Sequence, residues 1–115
     1  MKRAADYDQL IDLAAKAMLV AGGKPELADQ ELAAQMHYYM LQAIAFRGGV
    51  TTDGRYLVEG VMKDVISEVV ERAMRQLRNE LVPRLRAFMD EDSIEKLERE
   101  LSASLAHVLE AVKRR

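Results

Sequence analysis

Apolar residues recur at intervals of three and four along most of the 115-residue chain, which is the period of an amphipathic α-helix. Glycine-rich or acidic segments at residues 22–25, 47–54 and 90–93 interrupt this pattern and divide the chain into four segments. We find no repeat and no linker that separates two domains. The sequence therefore predicts one all-α domain, residues 1–115, with four helices near residues 6–21, 25–46, 54–89 and 93–113.

The first two predicted helices differ in how much of their surface is apolar. Gly22 and Gly23 are suited to end the first helix, because glycine adopts a left-handed backbone at little cost, and Pro25 suits the first turn of the second. Beyond Glu31, apolar residues of the second helix occupy nearly every side. A helix of this kind is buried all round, and a second copy of the chain covers it most easily. This pattern predicts a homo-oligomer, either a dimer or a larger assembly.

The third predicted helix is the longest. Its apolar positions step by three or four residues: Met62, Ile66, Val69, Ala73, Leu77, Leu81, Leu85 and Phe88. Pro83 removes a backbone hydrogen bond and crowds the carbonyl of Asn79, so the helix is expected to kink, or to break and restart, near residue 83. A continuous helix over these residues is about 50 Å long, longer than a domain of this size is wide. A partner packed along it is the second argument for an oligomer.

The fourth predicted helix is amphipathic. Asp92 and Glu95 have the spacing of a capping box at its start, and its apolar positions form a seam like that of a coiled coil. We therefore predict that the second, third and fourth helices pack in a homo-oligomeric helical bundle. The predicted interface residues are Met36, Tyr39, Met40, Leu77, Leu81, Leu101, Leu105 and Val108.

The composition removes several kinds of site chemistry. The chain has no cysteine, which excludes disulfides, thiolate metal sites and cysteine nucleophiles. Of the two histidines, His37 and His107, only His107 has a carboxylate at helical spacing, Glu110. The Glu-x-x-His motif of di-metal helical bundles is missing, and no serine lies in a nucleophile turn. We therefore expect no catalytic residue, metal site or cofactor; an enzyme would need a pocket around a histidine that the sequence does not reveal.

The charges are balanced in total and uneven along the chain. With 17 basic and 19 acidic residues the net charge is −2, which argues against bulk attraction to nucleic acid or to anionic membranes. Residues 47–89 carry a net +2, whereas each flanking part carries −2. Within the basic middle lies a set of arginines that we call the basic flank: Arg72, Arg75, Arg78, Arg84 and Arg86. Arginine suits phosphate and carboxylate contacts, but the same side chains would equally pair with Glu68, Glu71 and the acids of residues 90–100.

These features favour a function in protein–protein contact. The longest uncharged stretch, residues 32–46, is too short to span a membrane, and the acidic residues near the start do not fit a signal peptide. We expect a soluble, cytoplasmic protein with no membrane partner. Its seven methionines fill a core adaptably, or line a binding groove in an inhibitor or adaptor. The sequence thus predicts a non-enzymatic helical protein-binding or assembly module: a small inhibitor, an adaptor or a structural subunit. The alternative is a nucleic-acid-associated accessory or regulatory protein that uses the basic flank.

Overall fold

The computed structural model describes residues 4–24, 28–54 and 57–114, and most of them are helical. The helices are α1 (Ala4–Val20), α2 (Gln30–Phe46), α3 (Glu59–Gln76), α4 (Val82–Leu85) and α5 (Glu91–Lys113), and a π-helical turn at Leu77–Leu81 joins α3 to α4. In the described residues, β pairing is limited to one isolated antiparallel bridge. The predicted all-α fold class is confirmed. No helix within these three ranges is long and apolar enough to cross a membrane.

α1 and α2 form an antiparallel hairpin. Tyr7 near the start of α1 lies against Phe46 at the end of α2, with ring centroids 5.4 Å apart. Gly22 and Gly23 close α1 with left-handed backbones, both at φ 71°. The N–H of Gly23 donates to the carbonyl of Met18 at 3.0 Å, which gives a carbonyl at the helix end a partner.

α2 begins later than its sequence pattern predicts. Asp29 occupies the N-cap position, and its side chain accepts a hydrogen bond from the N–H of Leu32 at 2.8 Å. The first residue of α2 is therefore Gln30. The predicted role of Pro25 falls outside the described residues.

α3 also begins later than predicted, at Glu59 instead of residue 54. The isolated bridge between Val50 and Leu57 and a 2.7 Å hydrogen bond from the N–H of Val58 to the carbonyl of Gly49 keep the preceding chain extended. This short contact ties the start of α3 to the end of α2, so the helix starts only after Val58.

The apolar stripe of α3 shifts by one residue at the π-helical turn. The sequence pattern continues from Leu77 to Leu81, but the structure buries Leu77 and Val82, five residues apart. The N–H of Val82 donates to the carbonyl of Leu77, which is the hydrogen bond of a π-helix. The backbone stays helical through Pro83. The helix ends at Leu85, short of the predicted residue 89, and Phe88 in the turn beyond it is 84% exposed.

α5 starts at Glu91 and not at the predicted residue 93, with a different cap from the one predicted. The side chain of Asp90 accepts a hydrogen bond from the N–H of Ser93 at 2.7 Å. Hydrogen bonds from the side chain and backbone of Ser93 hold the pKa of Asp90 below its usual value. Asp92, the predicted cap, instead lies in the first turn of the helix, where a carboxylate favours the helix dipole.

The helices assemble around α1 and α3, which run parallel. Asp8 of α1 pairs with Arg72 of α3, and one turn further along both helices the side chain of Asp12 accepts a hydrogen bond from Gln76. The contacts advance in the same direction along the two helices. α2 packs on α1 and α3, and α5 packs back along α3. The fully buried side chains of the core come from several helices: Ile11, Met18, Val65, Val69, Val70, Leu77 and Leu105.

Half of the predicted interface residues lie in the core of the protomer. Met36, Leu77, Leu101 and Leu105 are buried within the single chain. The other four, Tyr39, Met40, Leu81 and Val108, are partly buried against the same clusters. The apolar positions of the third and fourth predicted helices are thus satisfied largely by packing inside one copy.

Candidate binding groove

A groove of about 460 Å³ lies between α2 and α5, with α1 and α3 beneath it. We call it the α2–α5 groove. Its lining residues are Met18, Ala33, Met36, His37, Met40, Ile66, His107, Val108, Ala111 and Val112. Its volume lies in the range of about 300–1,000 Å³ that is common for ligand pockets.

The two walls of the groove follow from helix periodicity. α2 supplies Ala33, Met36, His37 and Met40, which lie on one face because residues three and four apart are neighbours on a helix. α5 supplies a matching face from His107 to Val112. α2 is antiparallel to α1 and α5 is antiparallel to α3, so the two walls run parallel.

The floor of the groove comes from the other two helices. Met18 of α1 is fully buried, and Ile66 of α3 is partly buried. Met18, Met36 and Met40 together give the floor and one wall three unbranched thioether side chains, which adapt to the shape of what they contact. This arrangement is suited to holding an apolar side chain of another molecule.

Among the described residues of the lining, only His37 and His107 carry nitrogen or oxygen atoms in their side chains, and they lie on opposite walls. Both are exposed. A neutral imidazole offers one donor and one acceptor, so each wall can hold a polar atom at the rim while the floor holds an apolar group. Across the described ranges, no group of three or more His, Cys, Asp and Glu side chains is placed to hold a metal ion.

The sequence pointed to several residues that line the groove, but it did not predict that they come together. It named the histidines as the residues around which an enzyme would need a pocket, and the methionines as material for a core or a binding groove. Met36, His37 and Met40 lie within little more than one turn of α2, which is a local signal. The position of His107 on the opposite wall depends on the packing of α5 against α3, and no local spacing reports that.

The structure divides the predicted basic flank into paired and unpaired arginines. Arg72 pairs with Asp8 and, at 3.7 Å, with Asp12. The hydrogen bond to Asp8 outweighs partial burial and keeps the pKa of Arg72 above its usual value. Arg86 lies 3.4 Å from Glu91. These acids differ from Glu68 and Glu71, which the sequence offered as partners for the flank, although Glu91 lies in the predicted acidic segment.

Arg75, Arg78 and Arg84 are exposed. Among the residues that the structure describes, none of the three forms an ion pair. The flank therefore offers an external ligand three guanidinium groups, and not the five that the sequence suggested.

A second cavity of about 440 Å³ lies where α1 meets the π-helical turn. It is lined by Lys16, Leu19, Val20, Gln76, Glu80, Leu81 and Arg84. Gln76 is buried, and its Nε2 donates to the side chain of Asp12 at 2.7 Å and to its carbonyl at 3.1 Å. Its Oε1 is buried without a hydrogen-bond partner. The bonds to Asp12 fix the amide across the α1–α3 contact, which gives Gln76 a structural role.

Comparison with known proteins adds no functional assignment, since no protein family, no curated protein and no solved structure matches this chain.

Proposed function

We propose that the protein is a non-enzymatic protein-binding and assembly module, an adaptor, small inhibitor or structural subunit that receives an apolar segment of its partner in the α2–α5 groove. The observation that carries the proposal is the composition of the lining, whose described residues are apolar apart from two imidazoles on opposite walls. Protein partners commonly place an apolar anchor in such a site and polar groups around it. The absence of cysteine fits a cytoplasmic location.

The chemistry of the lining defines the partner. Since the described residues of the lining include no carboxylate, lysine or arginine, they accept an apolar or aromatic side chain without burying a charge of their own. The imidazoles at the rim favour carboxylates beside that side chain, because either ring can donate a hydrogen bond to them. The fitting segment is an apolar anchor flanked by acidic residues.

A photo-crosslinking amino acid tests whether the groove is the docking site. We would place it at residue 111, which lines the groove, and at residue 106 as the matched control. Both positions hold exposed alanines of α5, but Ala106 is not part of the lining. We expect cross-links from position 111 to one defined partner segment and none of these from position 106, as read by mass spectrometry of the cross-linked peptides.

A second substitution makes this test specific. Ala33→Glu adds a carboxylate to the opposite wall and should remove the cross-link from position 111. Equal cross-linking from both positions, or a cross-link that persists with Ala33→Glu, would show that the groove does not dock a partner.

The second candidate function is nucleic-acid binding through Arg75, Arg78 and Arg84, which is favoured by the lack of ion pairs at these exposed side chains in the described structure. Changing all three to Glu should weaken binding to a DNA or RNA duplex by tenfold or more and flatten its dependence on salt. The matched control makes the same charge changes at exposed Lys96, Arg99 and Lys113. An electrophoretic shift at two salt concentrations measures both variants, and equal binding by the two argues against the flank.

A further inference from the structure

The turn between α4 and α5 presents an aromatic side chain to solvent. Phe88 is 84% exposed. Its backbone is held in place, since the N–H groups of Phe88 and Met89 both donate to the carbonyl of Leu85 at 2.9 Å. An exposed aromatic side chain on a fixed backbone is the kind of anchor that a groove on another surface can cover. We call residues 86–92 the Phe88 turn.

The Phe88 turn is acidic around its aromatic side chain. Asp90, Glu91 and Asp92 follow after Met89, and all three are exposed. One of these carboxylates, that of Glu91, lies 3.4 Å from Arg86 within the turn, while Asp90 caps α5. The turn therefore combines an apolar anchor with a run of carboxylates on its C-terminal side, and Arg86 on its N-terminal side is paired with one of them, that of Glu91.

The groove and its surroundings are complementary in charge to this turn. None of the lining residues that the structure describes is acidic. Beside it, Lys24 and His107 line the same smaller cavity, so a cation adjoins one end of the groove. The carboxylate of Glu110 on α5 is 3.9 Å from the guanidinium of Arg114, which offsets its charge.

The Phe88 turn cannot reach the groove of its own chain. α5 begins at Glu91 and contributes His107 to the groove sixteen residues later. At 1.5 Å per residue of rigid helix, about 24 Å separate the two. The Phe88 turn that fills a groove must come from another molecule.

We propose that the Phe88 turn of one copy docks in the α2–α5 groove of a second copy, an inference that rests on the proposed function and names its partner. The two contacting surfaces are different patches of the chain, so the contact is heterologous. Two copies close it reciprocally, or successive copies extend it head to tail. The contact of a single turn with a groove is small, and contacts of this size belong to the weak, concentration-dependent class.

The test uses the purified full chain and three variants. Phe88→Ser removes the anchor, Ala111→Glu adds a repelling carboxylate to the groove, and Val20→Ser is the matched control, because Val20 is 76% exposed and lies outside both surfaces. All three substitutions are at exposed positions, and circular dichroism confirms that each variant folds. Sedimentation velocity at tens of micromolar reports association.

We expect the wild-type chain and Val20→Ser to associate equally. Phe88→Ser and Ala111→Glu should each weaken association by at least about tenfold. Mixing the last two should restore a species of twice the 13.0 kDa protomer mass, because one retains the groove and the other retains the anchor. Neither variant alone should form it.

The outcomes separate this inference from the proposed function. A wild-type chain that stays monomeric, association that Phe88→Ser leaves intact, or a mixture that does not recombine overturns docking of the Phe88 turn. The groove remains a protein-binding site in those cases if position 111 still cross-links to a different protein. If position 111 gives no cross-link that position 106 lacks, both the docking of the Phe88 turn and the proposed function of the groove are overturned.

Discussion

Gly49 is the residue at which the end of α2 and the start of α3 approach most closely. Its N–H donates to the carbonyl of Ile44 at 2.8 Å, and its carbonyl accepts from the N–H of Val58 at 2.7 Å. A Cβ atom at this position would lie 2.6 Å from Cγ1 of Val61 and 2.7 Å from Cγ2 of Ile44. Both distances are shorter than carbon atoms tolerate, so the contact requires glycine.

Gly49→Ala should therefore destabilise the fold. We expect the free energy of unfolding in urea to fall by about 1–3 kcal/mol, the usual cost of an overpacked site. Gly60→Ala is the matched control, because a Cβ there meets no atom within 4 Å and the residue lies in α3. It should be neutral or stabilise by up to about 1 kcal/mol, since alanine favours a helix. Equal effects of the two changes would contradict the close approach.

The Gly48-Gly49 pair meets two different requirements, a left-handed backbone and a lack of space for a side chain, and the sequence reveals only the first. Gly48 has a left-handed backbone at φ 72°, which is the role that a Gly-Gly pair at a helix end predicts. Gly49 is needed for space instead, because of Val61 in the following helix. That contact depends on how α3 returns to α2, so local pattern could not report it.

At the scale of helices, polar groups join α1 to α3 along one line. Tyr7 donates to Glu68 at 2.8 Å, Asp8 pairs with Arg72, and Gln76 donates to Asp12 at 2.7 Å. Partial burial opposes ionisation of Asp12, but hydrogen bonds from Lys16 and Gln76 and the charges of Lys16 and Arg72 outweigh it. The pKa of Asp12 consequently lies below its usual value.

The lowered pKa of Asp12 predicts a loss of stability in acid. A carboxyl group that ionises more easily in the folded state stabilises the fold above its unfolded pKa, and this contribution disappears as the pH falls through the folded pKa. Asp12→Asn should therefore reduce stability at neutral pH and flatten the decline of unfolding free energy below about pH 5. Urea unfolding at a series of pH values measures both.

Glu100→Gln is the control for this prediction. Glu100 is exposed on α5, and it forms no ion pair within the described part of the chain. We expect it to leave the pH dependence unchanged. A slope that Asp12→Asn does not alter, or that Glu100→Gln alters as much, would mean that the α1–α3 contact does not sense the charge of Asp12.

The helical periods of α1 and the first part of α3 were predictable because each presents one continuous apolar stripe. The stripe was predictable in α3 only up to Leu77. Beyond it, the sequence offers Leu81 at the expected spacing of four, but the core takes Val82. A π-helical hydrogen bond shifts the buried position by one residue, from Leu81 to Val82. Both side chains are apolar, so the sequence alone does not show which of them faces the core. Only tertiary packing chooses between them.

For the molecule as a whole, the charge distribution was predictable and its pairing was not. The basic middle and acidic flanks are visible in the sequence, and arginine does pair with acids of the first and last helices: Arg72 with Asp8, and Arg86 with Glu91. Which acids are used follows from the parallel packing of α1 on α3. The α2–α5 groove was unpredictable for a related reason, since its walls are far apart in the chain and meet through the helices between them.

The protomer is elongated, with a radius of gyration of 15.1 Å and extents of 52 × 30 × 24 Å. A compact chain of this length has a radius of gyration of about 13 Å. Small-angle X-ray scattering should give the radius of gyration of the single protomer at high dilution. We expect it to rise with concentration for the wild-type chain and to stay constant for Phe88→Ser; parallel curves for the two would argue against association through the Phe88 turn.

The π-helical turn contains one residue more than an ordinary α-helical turn needs to join two core positions. Leu77 and Val82 face the core although five residues separate them, whereas two positions on one face of an α-helix are usually four apart. Deleting one residue between them, such as exposed Asn79, would let an ordinary α-turn join the same two core positions. Homologous chains that are one residue shorter here would be expected to keep the core, so a gap in an alignment at this place would mark a change of helix type and not a loss of fold.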